Sequence, residues 1–140
     1  MDTNGNTKEL LIKDLSSRLP YGVKIELTWW GMGEGAYTNT TLEPDHIEQL
    51  LKDEDGDIEI KPYLFPLSSM TDKDLIEFLQ IKGMNLNSYE LKTFRREPIT
   101  IVSTLPSYSR HIDWLNKNHF DYRNLIDKNL AIDCTNLNIY

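Results

Sequence analysis

Leucines at positions 11, 15 and 19 recur every four residues with Ile12 beside them, the spacing of one face of a helix. Thr7 is placed to cap that helix over Lys8 to Leu19, and Pro20 stops it. Val23, Ile25 and Leu27 then alternate with Lys24, Glu26 and Thr28, the period of a half-buried strand. Gly31, Gly33 and Gly35 form a turn from which Ala36 to Thr41 can return as a hairpin. Pro44 suits the first turn of a short helix reaching Leu51, and Asp53-Glu54-Asp55-Gly56-Asp57 reads as a tight turn. Ile58 and Ile60 open another strand, which Pro62 and Pro66 confine to an edge or an irregular segment.

Thr71 with Asp74 resembles a capping box, heading a helix that carries Leu75, Phe78, Leu79 and Lys82 and ends at Gly83. Ser88 caps a short helix through Phe94 and Arg95, and Ile99 to Val102 reads as a strand. Ser107 or Ser109 starts a helix bearing Ile112 and Leu115. Asp121 is expected to cap a final helix over Tyr122 to Lys128, with Asn129 as its stop and Leu130 to Ile132 as a last strand. Helices and strands alternate irregularly, with hairpins in place of βαβ units. The expected fold is α+β: one compact domain over 1–140, with 1–6 disordered, a small mostly antiparallel sheet and about four or five helices. No internal repeat and no linker interrupts it.

Composition narrows the function more than it identifies it. A chain of 140 residues buries enough surface to hold a core without staples. A net charge of −7 argues against binding nucleic acid through its phosphates, although Lys92, Arg95 and Arg96 cluster. Cys134 stands alone, so no internal disulfide forms and a reducing compartment is the simplest home. The segment MDTNGNTKELLIKDL lacks the basic start and apolar core of a signal peptide, and no apolar run approaches the roughly 20 residues of a membrane span. The expected location is cytoplasmic, with no membrane association.

Candidate chemistry concentrates near the C-terminus. His111-Ile112-Asp113 and His119-Phe120-Asp121 sit eight residues apart. On a continuous helix, eight steps of about 100° would bring both histidines to one face. Imidazole and carboxylate suit zinc or iron, and Asp133 with Cys134 could complete such a set. The alternative makes Asp121 a cap, Asp113 a solvated helix residue and His119 a loop residue beside an anchoring Phe120, with no metal or cofactor. That structural reading is the one expected.

Trp29-Trp30 supplies a different kind of site. Adjacent strand residues point to opposite faces, so only one indole enters the core easily. The other would lie on the surface beside the glycine-rich turn and Tyr37, as partner surfaces are often furnished. The turn Gly31-Met32-Gly33-Glu34-Gly35 is no phosphate loop, because Glu34 has the wrong charge and the chain after it looks extended. Asp53, Asp55 and Asp57 do not make a calcium loop, since glycine and glutamate are missing from its sixth and twelfth positions. Ser68, Ser69, Ser103, Ser107 and Ser109 lie in no glycine-flanked elbow, so no catalytic residue is assigned.

Three segments carry a resemblance: KELLIKDLSSRLPYGVKIEL (8–27), KPYLFPLSSMT (61–71), and Leu115 to Ala131 with the terminal Asn138-Ile139-Tyr140. They resemble a family of short proteins of Bacteroides-type gut bacteria, often encoded in prophage-like or mobile regions, to which no activity is attached. The stretches Trp29 to Thr41 and 84 to 110 look like variable inserts by comparison. The resemblance implies a bacterial or phage-borne cytoplasmic accessory protein and supplies no catalytic residues.

The leading expectation is therefore a non-enzymatic interaction protein that binds a host or phage protein through Trp29, Trp30 and Tyr37. A second is a small-molecule or nucleotide-binding domain, with hydrolytic activity open to it, using His111, Asp113, His119 and Asp121 beside Arg110 or Arg123. A third is an acidic nucleic-acid mimic built on Glu43, Asp45, Glu48 and Asp53 to Asp57. An edge strand near Pro62 or the tryptophan hairpin also leaves room for a homodimer.

Overall fold

The first helix, α1 (Asn4–Arg18), buries a stripe that is only half apolar: Leu11, Asp14, Leu15 and Arg18 all face inward. The structure, a computed structural model, describes residues 4–30, 33, 35–54, 56–71, 73, 74, 77, 78 and 108–140. After α1 a 3-10 turn over Leu19–Tyr21 carries Pro20, and Gly22 at φ 68° reverses the chain in a left-handed conformation. Strand β1 (Lys24–Trp29) follows, then β2 (Gly35–Thr41), helix α2 (Pro44–Lys52) and β3 (Ile58–Pro66). Helix α3 (Tyr108–Lys117), β4 (Phe120–Asp121) and β5 (Ile132–Asp133) complete the described elements.

The strands form one sheet of order β2-β1-β3-β4, with β5 also on β3. β1 runs antiparallel to β2 and β3, whereas β4 and β5 run parallel to β3. The fold is α+β and its sheet is mixed: the longer pairings of β1 with β2 and β3 are antiparallel, as expected, and the two-residue strands β4 and β5 return to β3 in the same direction. Ile25 and Leu27 of β1 and Ile60 and Leu64 of β3 turn to one face, where Leu11, Leu15, Leu42, Leu50, Leu125 and Ala131 close a core. A second cluster gathers Leu67, Met70, Phe78, Leu115, Phe120 and Tyr122.

Pro62 lies mid-strand in the centre of the sheet, not at an edge, and the register explains how. Trp30 N–H donates to Asp57 O at 2.8 Å, and Leu42 N–H to Val23 O at 2.9 Å. Antiparallel rungs alternate, so Glu26 and Thr28 exchange hydrogen bonds with β3, and Ile25, Leu27 and Trp29 with β2. On β3 the odd-numbered residues therefore face β1, and Pro62, which has no N–H, faces away from it. No rung is lost. At the next rung the hydroxyl of Tyr140 is inserted between strands, accepting from Lys24 N–H at 2.7 Å and donating to Tyr63 O at 2.9 Å.

Other expectations resolve element by element. The capping box forms: Asp74 N–H donates to Thr71 Oγ1 at 3.1 Å and Thr71 N–H to Asp74 Oδ2 at 3.2 Å. α1 starts at Asn4, ahead of the expected Thr7 cap, and residues 1–3 lie outside the described ones. Three α-helices have both ends among the described residues, against the four or five expected, and residues 73, 74, 77 and 78 behind the Thr71–Asp74 box are helical too. The helix around Ser88 to Arg95 and the strand Ile99 to Val102 lie outside them, as do Leu75 and 79–83. Tyr122 to Lys128 is a series of turns and not a helix, because Asn124 at φ 59° breaks the helical path. Asn129, at φ 60°, ends those turns.

The two clusters are joined by buried charge. Asp14 accepts from Arg18 Nε at 2.8 Å and from Arg123 Nη1 at 2.7 Å, with Asp14 and Arg18 both fully buried. Arg18 Nη2 donates to Phe120 O at 2.6 Å. Both guanidinium groups lie over the ring of Tyr122, at 5.2 and 4.6 Å, and its hydroxyl donates to Asn116 Oδ1 at 2.8 Å.

Arg18→Met leaves Asp14 with Arg123 alone and strands the buried Phe120 carbonyl, so it should lower unfolding free energy by about 3 kcal/mol in urea titration. Tyr140→Phe strands the Lys24 N–H and the Tyr63 carbonyl together, and should cost about 1–3 kcal/mol in the same measurement.

Candidate functional site

The β1–β2 hairpin holds its aromatic residues in fixed and different ways. Trp29, the last residue of β1, pairs with Gly35 and lays its indole across that glycine. A Cβ at Gly35 would sit 2.1 Å from the ring, so only glycine fits. The Trp29 ring is half-buried against the main core and meets Tyr37 with centroids 5.0 Å apart at 39°. Tyr37 remains 59% exposed. It lines a groove of about 410 Å³ between β2 and α2, with Leu27, Thr40, Glu43, His46 and Gln49.

Trp30 is 41% exposed but belongs to a different surface. It lies beyond the strand end and lines a groove of about 720 Å³ with Leu11, Leu50, Ile58 and Leu130. The structure thus brings Trp29 and Tyr37 into contact and turns Trp30 toward α1 and β3. The expectation that one indole packs and its neighbour faces solvent holds. The three aromatics do not share one groove.

The histidine-aspartate pairs are not brought together as the helical spacing suggested. α3 ends at Lys117, and His119 follows it at φ 65°, so the eight-residue helical path from His111 does not exist. The His119 ring stacks on Tyr140 at 3.8 Å and 10°. Its Nδ1 is buried without a hydrogen-bond partner. Burial first, and the Arg18 charge second, push its pKa down to about 4. The carboxylate of Asp121 accepts from Leu125 N–H at 3.0 Å and Ile126 N–H at 2.9 Å, so it caps the turn that replaces the expected helix. Asp113 is exposed on α3; His111 is on the same helix, and its side chain lies outside the described residues.

The proposed completion of that set is also committed elsewhere. Asp133 Oδ1 accepts from Thr135 N–H at 3.0 Å. Cys134 is buried, and burial pushes its thiol up to about 11. Among the described residues, no group of three or more His, Cys, Asp and Glu converges as a metal-ligand set. The acidic stretch is interrupted as well: Lys52 pairs with Glu48 at 2.7 Å, and Lys8 Nζ donates to Asp53 O at 2.6 Å.

Sequence reasoning missed the roles of Asp14, Arg18, Tyr122 and Tyr140, and named Arg123 only as a basic neighbour of the histidines. The one available signal was the i, i+4 spacing of Asp14 and Arg18 on the same stripe as Leu11 and Leu15. No family model, curated protein or solved structure matches the chain. Among the described residues, no helix is long and apolar enough to cross a membrane.

His119 carries a signed pH dependence. Its folded pKa lies near 4, below the usual 6.5, so the unfolded chain takes up the proton first as pH falls. The stabilisation is complete above pH 6.5 and is lost progressively toward pH 4. His119→Asn keeps a residue tolerant of positive φ and removes the titration. Urea midpoints should fall between pH 7 and 5 for the wild-type chain, and the variant should show a clearly flatter profile over that window.

Proposed function

We propose that this chain is a non-enzymatic accessory protein of phage or mobile-element origin, acting by binding a host or phage protein through its β1–β2 hairpin. The observation that carries the reading is Tyr37, 59% exposed yet held by the Trp29 ring that Gly35 admits. A pre-positioned aromatic loses little side-chain freedom on binding, which is why tyrosine and tryptophan dominate interface energetics. β2 beside it is mostly exposed and carries no charged residue from Gly35 to Thr41. Trp30 lies on the separate groove against α1 and β3, and its variant tests whether that surface also takes part. The phage or mobile-element origin rests on the resemblance of residues 61–71 and 115–131.

The test is affinity capture from the bacterial host lysate with quantitative mass spectrometry. Tyr37→Ala and Trp30→Ala are compared with His119→Asn as the remote control. Tyr37→Ala should reduce the captured partner by about tenfold or more, the scale of an aromatic anchor worth about 2 kcal/mol. His119→Asn should leave capture unchanged. If both hairpin variants capture the same proteins at wild-type levels, the hairpin is not the binding surface.

A further inference from the structure

Among the described residues, β2 is the outermost strand of the sheet. Since Tyr37 and Gly35 spend their main-chain groups on Leu27 and Trp29, those of Ala36 and Thr38 point outward. Ala36, Thr38, Asn39 and Thr41 are all exposed. Edge strands are normally blunted by lysine, proline or charge facing the open side. From Gly35 to Thr41 β2 has none of these. Its one interruption is a bulge, where Thr38 and Asn39 stand opposite Glu26 and Asn39 takes φ 55°. The bulge limits regular pairing to Gly35 through Thr38.

We propose that the partner engages this edge as an extended segment, pairing with the main chain of Ala36 and Thr38 and placing a lysine or arginine over Tyr37. This deepens the hairpin reading and rests on it. An added strand would set every second side chain on the face of Tyr37, above the groove between β2 and α2. Tyr37 offers a ring for an aliphatic stem and a cation, and Glu43 stands in the same groove. Asp45 and Glu48 follow on the exposed side of α2. His46 Nδ1 accepts the Glu43 N–H at 2.9 Å, so its ring is held by the α2 cap and the charge on this face comes from Glu43, Asp45 and Glu48. The whole chain carries −7. A second copy fits poorly, because its own β2 brings no lysine or arginine and its net charge repels.

The probe is a capped heptapeptide alternating lysine with valine, titrated into the 15N-labelled full chain, with the glutamate–valine peptide as its counterpart. The lysine peptide should shift the Ala36 and Thr38 amides and slow their hydrogen exchange, while the glutamate peptide should bind at least about tenfold more weakly. Thr38→Pro removes an N–H that the β1–β2 ladder does not use. It should abolish peptide binding at an unchanged melting temperature. Should that variant unfold, amide protection in the wild-type chain still reads the pairing directly.

Lysine-peptide binding without protection of those amides would overturn the strand pairing. Equal binding of both peptides would overturn the basic segment. Self-association that Thr38→Pro abolishes, without peptide binding, would make a second copy the occupant and overturn the proposal. Absence of any binding also overturns it, while the Tyr37→Ala capture experiment decides the broader hairpin reading independently.

Discussion

The carboxylate of Asp14 is the point on which the two halves of the fold depend. It holds Arg18 from its own helix and Arg123 from the chain 109 residues later, and Arg18 in turn holds the Phe120 carbonyl. Burying such groups costs several kcal/mol per ion before any attraction is counted. Here most of the buried polar capacity is answered by short hydrogen bonds and by the Tyr122 ring over which both guanidinium groups lie, with Arg18 Nη1 left unanswered. The cluster therefore contributes placement more than net stability. It forms only when α1 and the segment after α3 are both docked, and that docking sets where β4 lies along β3.

Placement matters because the C-terminal half has no hairpin of its own to define it. β4 and β5 contribute two residues each and meet β3 in parallel, a pairing that no short turn enforces. Tyr140 solves the same problem at the opposite end of the segment. Its hydroxyl takes the rung where β1 gives out, and its ring stacks on His119 beside the start of β4. The side chain of one residue thereby ties β1, β3 and the α3–β4 turn together. Pro62 fits within this arrangement because its missing donor points away from β1.

The legible parts of this fold are those with local periodicity. Val23 to Leu27, the hairpin, α2 and the Thr71–Asp74 box all announced themselves by alternation, glycine or capping chemistry within a few residues. What was not legible depended on partners far away in sequence. A helix stripe containing Asp14 and Arg18 looks like two solvated charges until Arg123 arrives. Two-residue strands carry no detectable period. Asp121 was correctly read as a cap, yet the helix it should have capped fails at the left-handed Asn124. In the candidate site, opposite placement of the two tryptophans followed from strand geometry alone. The closeness of Trp29 to Tyr37 required the register that pairs Trp29 with Gly35.

The electrostatics separate the two ends of the molecule by role. A general acid or base works best with its pKa near the operating pH. The described groups with resolved shifts move the other way. His119 drops to about 4 and stays neutral, Cys134 rises to about 11 and stays a thiol, and Tyr63, Tyr122 and Tyr140 are all raised, each chiefly by burial. Desolvation has turned these side chains into packing and hydrogen-bonding parts, gathered where β3 meets the C-terminal strands. The outward edge of β2 takes no part in the Asp14 cluster, and of these groups Tyr63 reaches the Asn39 main chain at the bulge. Changes to the outward groups of β2 therefore leave the interactions that define the fold in place, which is the condition a recognition surface needs in order to vary while its scaffold does not.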